Sequence, residues 1–284
     1  MLSPTARIVV QRYALGVVAL SAFCLFALGS TLHRPAKPAQ PLITEKSMST
    51  GVPVIVELFT SEGCSSCPPA DTLLAKLEER QPVANAQIIA LEEHVDYWNN
   101  LGWMDPFSAK DWTARQEEYA GALGNGNVYT PQMVINGQTE LVGSREQQAR
   151  RAIETAAAGM RADVSLTARL PEQKGPAEFA VSIGRLAGNK GGDAPEVWLA
   201  ITEAGLHSNV TRGENAGEDL HHASVVRVLR KMGVADPGKE ISFSSALRLS
   251  LDPAWNLRNL HAVAFVQDQR SRQILGAAAA RIDR

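Results

Sequence analysis

The chain has 284 residues, 45% of them hydrophobic and 20% charged, with a formal net charge of −2 at pH 7. That balance allows one large domain or two of ordinary size, and it excludes collagen-like and intrinsically disordered classes. No basic stripe interleaved with aromatics marks a nucleic-acid surface, and no glycine-rich turn with its Lys or acidic partner marks a phosphate site.

The N-terminus reads as an address. Residues 1–13 carry Arg7 and Arg12 and no acid, Ala14 to Leu28 is almost wholly apolar, and Gly29 and Ser30 come next. A positive start, an apolar stretch and small residues after it fit a secretory signal peptide. The stretch is shorter than the roughly 20 residues of a spanning helix; an uncleaved signal anchor is the alternative. Residues 1–30 are therefore read as signal peptide or anchor, and the Pro-rich residues 31–50 as a linker. The chain beyond the linker is expected in the periplasm or outside the cell, with membrane contact only through an uncleaved N-terminal anchor. Of the three cysteines, Cys24 lies in the apolar run, while Cys64 and Cys67 are three apart. They are too few to staple a chain of this length.

Residues 51–161 show helix and strand patterns in a recognisable order. Val54 to Phe59 is a β-branched run suited to a buried strand, and Pro68 to Arg80 has Leu73, Leu74 and Leu77 at helical spacing. Gln87 to Leu91 reads as a second strand. Residues 94–128, rich in Trp, Tyr and Gly, form an insert with a helix around Ala109 to Leu123. Met133 to Ile135 and Glu140 to Val142 flank Asn136-Gly137, a two-residue hairpin signal, and Ser144 starts a helix running to about Met160. The order resembles the thioredoxin arrangement with a helical insert. Over residues 162–284 the pattern shifts to strands: Val164 to Leu170, Glu178 to Ile183, Glu196 to Ile201, Ile241 to Leu251 and Leu260 to Val266, with one helix at His222 to Met232. A β-rich, sandwich-like second domain is expected there.

Cys64-Ser65-Ser66-Cys67 carries the chemistry, because it comes after a strand and opens a helix. Unpaired N–H groups and the helix dipole stabilise a thiolate at that position. Cys64 is expected to be the exposed, attacking thiol. Cys67, in the first turn, resolves the mixed disulfide. Ser65 and Ser66 are candidate donors to the thiolate, while Glu62 opposes its ionisation. A structural disulfide closing so small a loop adds little stability. A zinc site lacks a second Cys/His pair at ligand spacing, since His221 and His222 are adjacent and face apart.

Thr130-Pro131 lies directly before the Met133 strand, where thioredoxin-like proteins hold a cis-proline beside the active disulfide. The run from Val56 to Asp71 (VELFTSEGCSSCPPAD) resembles the signature of the DUF1223 family, exported bacterial proteins of unknown function with a thioredoxin-like fold. The likeness continues through His94 to Trp98 (HVDYW), Leu101-Gly-Trp103, Asp105-Pro106, Thr113 to Gln116, Tyr129 to Gln132, Gly213 to Gly217, Val225-Val-Arg227 and Ile274 to Ala278. It implies the fold and the redox motif, and no substrate or cofactor. His94, Asp96 and Trp98 come after the second strand, where side chains line the approach to an α/β site; a His–Asp pair there suits proton transfer or weak metal ligation.

Two functions remain open. In one, the chain is a thiol–disulfide oxidoreductase acting on the thiols or disulfides of exported proteins or on a redox partner protein, with Cys64, Cys67 and Pro131 as its centre. In the other, it is a binding module whose disulfide is structural or redox-sensing. Neither reading calls for a cofactor or resident metal.

Overall fold

A computed structural model describes residues 51–124, 126–159, 162–170, 175–184, 186, 194–236 and 241–282, without the side chains of 241–248. The expected leader, linker and Cys24, and the expected helix end at Met160, lie outside these residues.

The first half keeps the anticipated order. β1 (Val52–Thr60) is apolar on both faces and buried from Val54 onward. α1 (Pro68–Arg80) opens on two prolines, which lack N–H groups where a helix has no intrahelical use for them, and Cys67 is its N-cap. β2 (Ala86–His94) lies parallel to β1. It runs on to His94, which is therefore the last residue of the strand rather than the start of the insert. α2 (Lys110–Leu123) belongs to the insert, β3 (Gln132–Ile135) pairs antiparallel with β1, and β4 (Thr139–Val142) pairs with β3. α3 (Glu146–Ala157) completes the series.

The hairpin expected at Asn136-Gly137 is present but longer than its two-residue signal. Ile135 pairs with Thr139, so residues 136–138 form the loop, with Asn136 and Gly137 at positive φ. Glycine is needed at 137, because a Cβ there would lie 1.9 Å from the Arg272 carbonyl oxygen.

Among the described residues the second half is built of strands and one 3-10 turn (Leu257–Asn259): β5 (Val164–Arg169), β6 (Ala177–Ile183), β7 (Glu196–Asn209), β8 (Asp219–Val234), β9 (Ile241–Leu249), β10 (Leu260–Gln267) and β11 (Ile274–Arg281). The helix expected at His222 to Met232 is instead the middle of β8. Val225, Val226 and Val228 are β-branched and stiff at χ1, and residues 219–222 alternate exposed and buried, the period of a strand. Antiparallel pairing with β7, from Glu196↔Val234 to Asn209↔Asp219, fixes that choice.

The fold is mixed α/β, with few helices and one eight-stranded mixed sheet in the order β11-β10-β7-β8-β2-β1-β3-β4; β5, β6 and β9 form a separate three-stranded sheet. β8 meets β2 in parallel at Glu92↔Val225, so strands from both sides of residue 162 share the large sheet. Alternation along β7 and β10 divides the packing. Val197, Leu199, Ile201, Ala262, Ala264 and Val266 cluster with Phe179 and Val181 of the small sheet, whereas Ala200, Val263 and Phe265 join Ile55, Ile89, Leu91 and Trp112 on the other face. At the β1–β2 end, Val54, Val56, Leu58, Ile88 and Ala90 pack with α1 and α3. The β2–β8 junction then brings His222 to the end of β2, beside the cysteine motif.

Candidate functional site

Cys64 and Cys67 form a disulfide with Cα atoms 5.4 Å apart, between the end of β1 and the first turn of α1. Both cysteines are fully buried. The expectation that Cys64 is the exposed member is thus corrected: Ser65 and Ser66 meet solvent, and the sulfurs do not. Part of the reason is the β7–β8 hairpin tip, a segment from the far half of the chain. Asn215 Nδ2 donates to the carbonyls of Glu62 (2.8 Å) and Cys64 (3.1 Å), and Glu214 Oε2 accepts the Ser65 N–H at 3.1 Å. The Ser66 hydroxyl lies 3.4 Å from Cys64 Sγ.

The Thr130–Pro131 peptide bond is cis. Trp98 links it to the motif: its indole N–H donates to Thr130 Oγ1 at 2.8 Å, and its Cβ lies 3.1 Å from where a Cβ on Gly63 would stand. Pro131 also approaches the first turn of α1, since a Cβ on Gly143 would touch both Pro131 (3.2 Å) and Ala70 (3.0 Å).

Behind the disulfide lies a buried chain of acids and imidazoles. His94 Nδ1 is 2.7 Å from Asp105 Oδ2, and His94 Nε2 is 3.4 Å from Glu92 Oε1. His222 Nδ1 is 2.7 Å from the same Glu92 oxygen, and His222 Nε2 is 3.1 Å from Glu62 Oε1. All these side chains, that of Asp105 included, have no exposure at all. Glu62 Oε2 also accepts the Trp103 indole N–H at 2.7 Å, and Glu92 Oε2 the Ala223 N–H at 2.8 Å. Phe107 packs edge-on against both imidazoles, each ring centroid 5.5 Å away. Glu92, His94 and His222 present their ligating atoms within 4.8 Å of one another, a group able to hold a metal ion.

The electrostatics arise from burial and pairing. Burial alone would pull His94 down, but the Asp105 charge, the hydrogen bond to Asp105 and the Glu92 carboxylate 3.4 Å away outweigh it and hold His94 well above the usual histidine range. His222 rises to about 9, because its bonds to Glu62 and Glu92 outweigh the cost of burial. Glu92 falls to about 2: burial would raise it, but the hydrogen bond from His222 and the two imidazoles beside it win. Asp71, one turn after Cys67, moves the other way. Burial, then the Glu92 charge, raises it from 3.8 to about 7, against the pull of His222 and the 2.6 Å bond from Thr60.

Of the residues singled out in the sequence, Cys64, Cys67, Ser65, Ser66, Glu62, Thr130, Pro131 and Trp98 converge on this corner, and His94 sits behind it. Asp96 does not. It accepts from Thr113 Oγ1 at 2.6 Å and so anchors α2, and the acid facing His94 is Asp105. The sequence reading missed Glu92, Asp105, Asn215 and His222. Three of them had signals: Glu92 and His94 are two apart on one strand, hence on one face, and Asp105 and Asn215 stand in the motifs quoted above.

These features define a mixed α/β protein with a buried Cys-x-x-Cys disulfide backed by a carboxylate–imidazole chain. Residues 55–267 match the family described as "Protein of unknown function (DUF1223)", and the chain belongs to it. Among solved structures, it is similar to protein AGR_C_4864 from Agrobacterium tumefaciens, with 26% identity and a TM-score of 0.61 over 81% of this chain and 95% of the other. It also shares its fold with HBP35 of Porphyromonas gingivalis, at 14% identity and a TM-score of 0.59 over 82% of this chain and 76% of that one. No curated protein matches the chain. No helix among the described residues is long and apolar enough to cross a membrane.

Proposed function

We propose that the chain is an exported thiol–disulfide oxidoreductase on a thioredoxin-like scaffold, acting on the thiols or disulfides of exported proteins or on a redox partner protein. One observation carries the reading: a Cys64–Cys67 disulfide at the start of α1, with a cis Thr130–Pro131 bond tied to the motif through Trp98. The leader-like N-terminus supports an oxidising compartment, where such a pair is free to cycle. The β-rich second half, its small sheet packed sandwich-like on the large one, supplies the hairpin tip that covers the motif.

In the reducing direction, the Cys64 thiolate attacks a partner disulfide, forming a mixed disulfide and releasing one partner thiolate. Cys67 then attacks Cys64 Sγ, releasing the second partner thiolate and restoring the Cys64–Cys67 bond. The partner gains two electrons and the pair loses two. Asp71 shares a helix face with Cys67 at i,i+4, and its raised pKa suits it to accept the Cys67 proton.

Cys67→Ser leaves Cys64 without a resolving thiol, so the variant accumulates mixed disulfides with a few exported proteins, seen as high-mass bands that vanish on reduction. Cys64→Ser accumulates far fewer. A second reading, a binding module with a structural or redox-sensing disulfide, is favoured by the complete burial of both cysteines. It predicts the same non-covalent partners for both variants and no trapped species.

A further inference from the structure

Both imidazoles in the buried chain have one nitrogen held by an outer carboxylate and the other turned inward. His94 gives Nδ1 to Asp105 (2.7 Å) and turns Nε2 toward Glu92; His222 gives Nε2 to Glu62 (3.1 Å) and turns Nδ1 toward the same Glu92 oxygen. An outer carboxylate that fixes tautomer and ring orientation is the usual support for a metal-bound histidine. His94 Nε2 is fully buried and has no hydrogen-bond partner, an orphan aimed at the Glu92 carboxylate 3.4 Å away. Tetrahedral zinc with bonds of about 2.0–2.2 Å sets its ligand atoms about 3.3 Å apart, close to that separation. The second oxygen of Glu92 is pinned by the Ala223 N–H at 2.8 Å, which leaves the first to bind alone.

We propose that Glu92 Oε1, His94 Nε2 and His222 Nδ1 form a buried three-ligand site for a divalent transition metal of the zinc class. Imidazole and carboxylate together suit that class, and three protein ligands leave a fourth position open. The 2.7 Å contact between His222 and Glu92 needs to open by only about half an ångström to admit the ion. The site uses neither cysteine, and the proposal does not rest on the redox reading.

The test is titration of the tag-free full chain, disulfide intact and stripped with chelator, by Zn²⁺ against a chromophoric competitor, and separately by Co²⁺ with visible absorption. The expected result is one equivalent bound at micromolar or tighter affinity, the d–d bands of four-coordinate Co²⁺, and net proton release on binding. His94→Gln and His222→Gln should each lose about 100-fold in affinity, and Asp105→Asn about 10- to 100-fold. The Cys64→Ser/Cys67→Ser chain should keep the single site, which separates this proposal from the fate of the redox reading. If the histidine variants do not fold, the wild-type Co²⁺ spectrum and proton release decide alone. No binding by the wild type, or a site that survives both histidine substitutions, or one lost with the cysteines, overturns the proposal.

Discussion

Asn215 makes access to the disulfide a measurable quantity. Its Nδ2 is the buried clamp between the β7–β8 tip and the motif, donating to Glu62 O at 2.8 Å and Cys64 O at 3.1 Å. Two such bonds are worth about 1–3 kcal/mol together. If the tip must lift before a thiol reaches Cys64, Asn215→Ala raises the open population by that amount, roughly 5- to 150-fold. When closing is fast, the rate of attack tracks that population. The assay is the pseudo-first-order reduction of the Cys64–Cys67 bond by excess dithiothreitol, quenched with an alkylating agent and followed by mass. Thermal unfolding serves as a check that the variant remains folded. Glu214→Ala, whose carboxylate is at the surface, should accelerate reduction less. A folded Asn215→Ala chain reduced at the wild-type rate would refute the idea that the tip gates the site.

Asp71 gives a signed pH effect. Its carboxyl holds a proton to about pH 7 in the folded chain but only to the ordinary aspartate value of 3.8 once unfolded, so stability falls as pH rises through that window, by roughly 4 kcal/mol in full. Asp71→Asn removes this loss, so its urea-unfolding curve should match the wild type near pH 4 and gain on it steadily toward pH 7; parallel profiles would contradict the assignment. Arg115, buried between Glu57 (2.5 Å) and Glu93 (3.4 Å), tests a second buried cluster. Arg115→Met leaves the buried Glu57 carboxylate without its cation and should cost about 3–5 kcal/mol in chemical denaturation, with partial recovery in Glu57→Gln/Arg115→Met.

Local pattern carried much of the first half. The bounds of α1 are legible in Pro68-Pro69 and the leucine spacing, and β1 in its β-branched run, because both are fixed by their own residues. Thr130-Pro131 is legible for a different reason: its order relative to a strand and a disulfide motif. The extension of β2 to His94 was not legible, because Glu92, Glu93 and His94 are polar residues whose burial depends on partners far along the chain. β8 failed in the same way. Its Leu, Arg, Lys and Met residues suit a helix, and only the long pairing with β7 overrides them.

One long-range contact accounts for what was missed at the site. The meeting of β8 with β2 at Glu92↔Val225 sets His222 against Glu92 and Glu62, and turns the hairpin tip so that Asn215 reaches the cysteine motif. Neither consequence is periodic or local, so a sequence reading finds His222 beside His221 and can only note that the two face apart. The same contact explains why the disulfide is closed and why the acids behind it tolerate burial. Two imidazoles, each between two carboxylates, compensate charges that would otherwise force Glu62 and Glu92 toward solvent. Removing His222 therefore does more than delete one ring. It leaves the buried carboxylates of Glu62 and Glu92 without the imidazole that bridges them, next to Phe107 and the segment that carries Cys64.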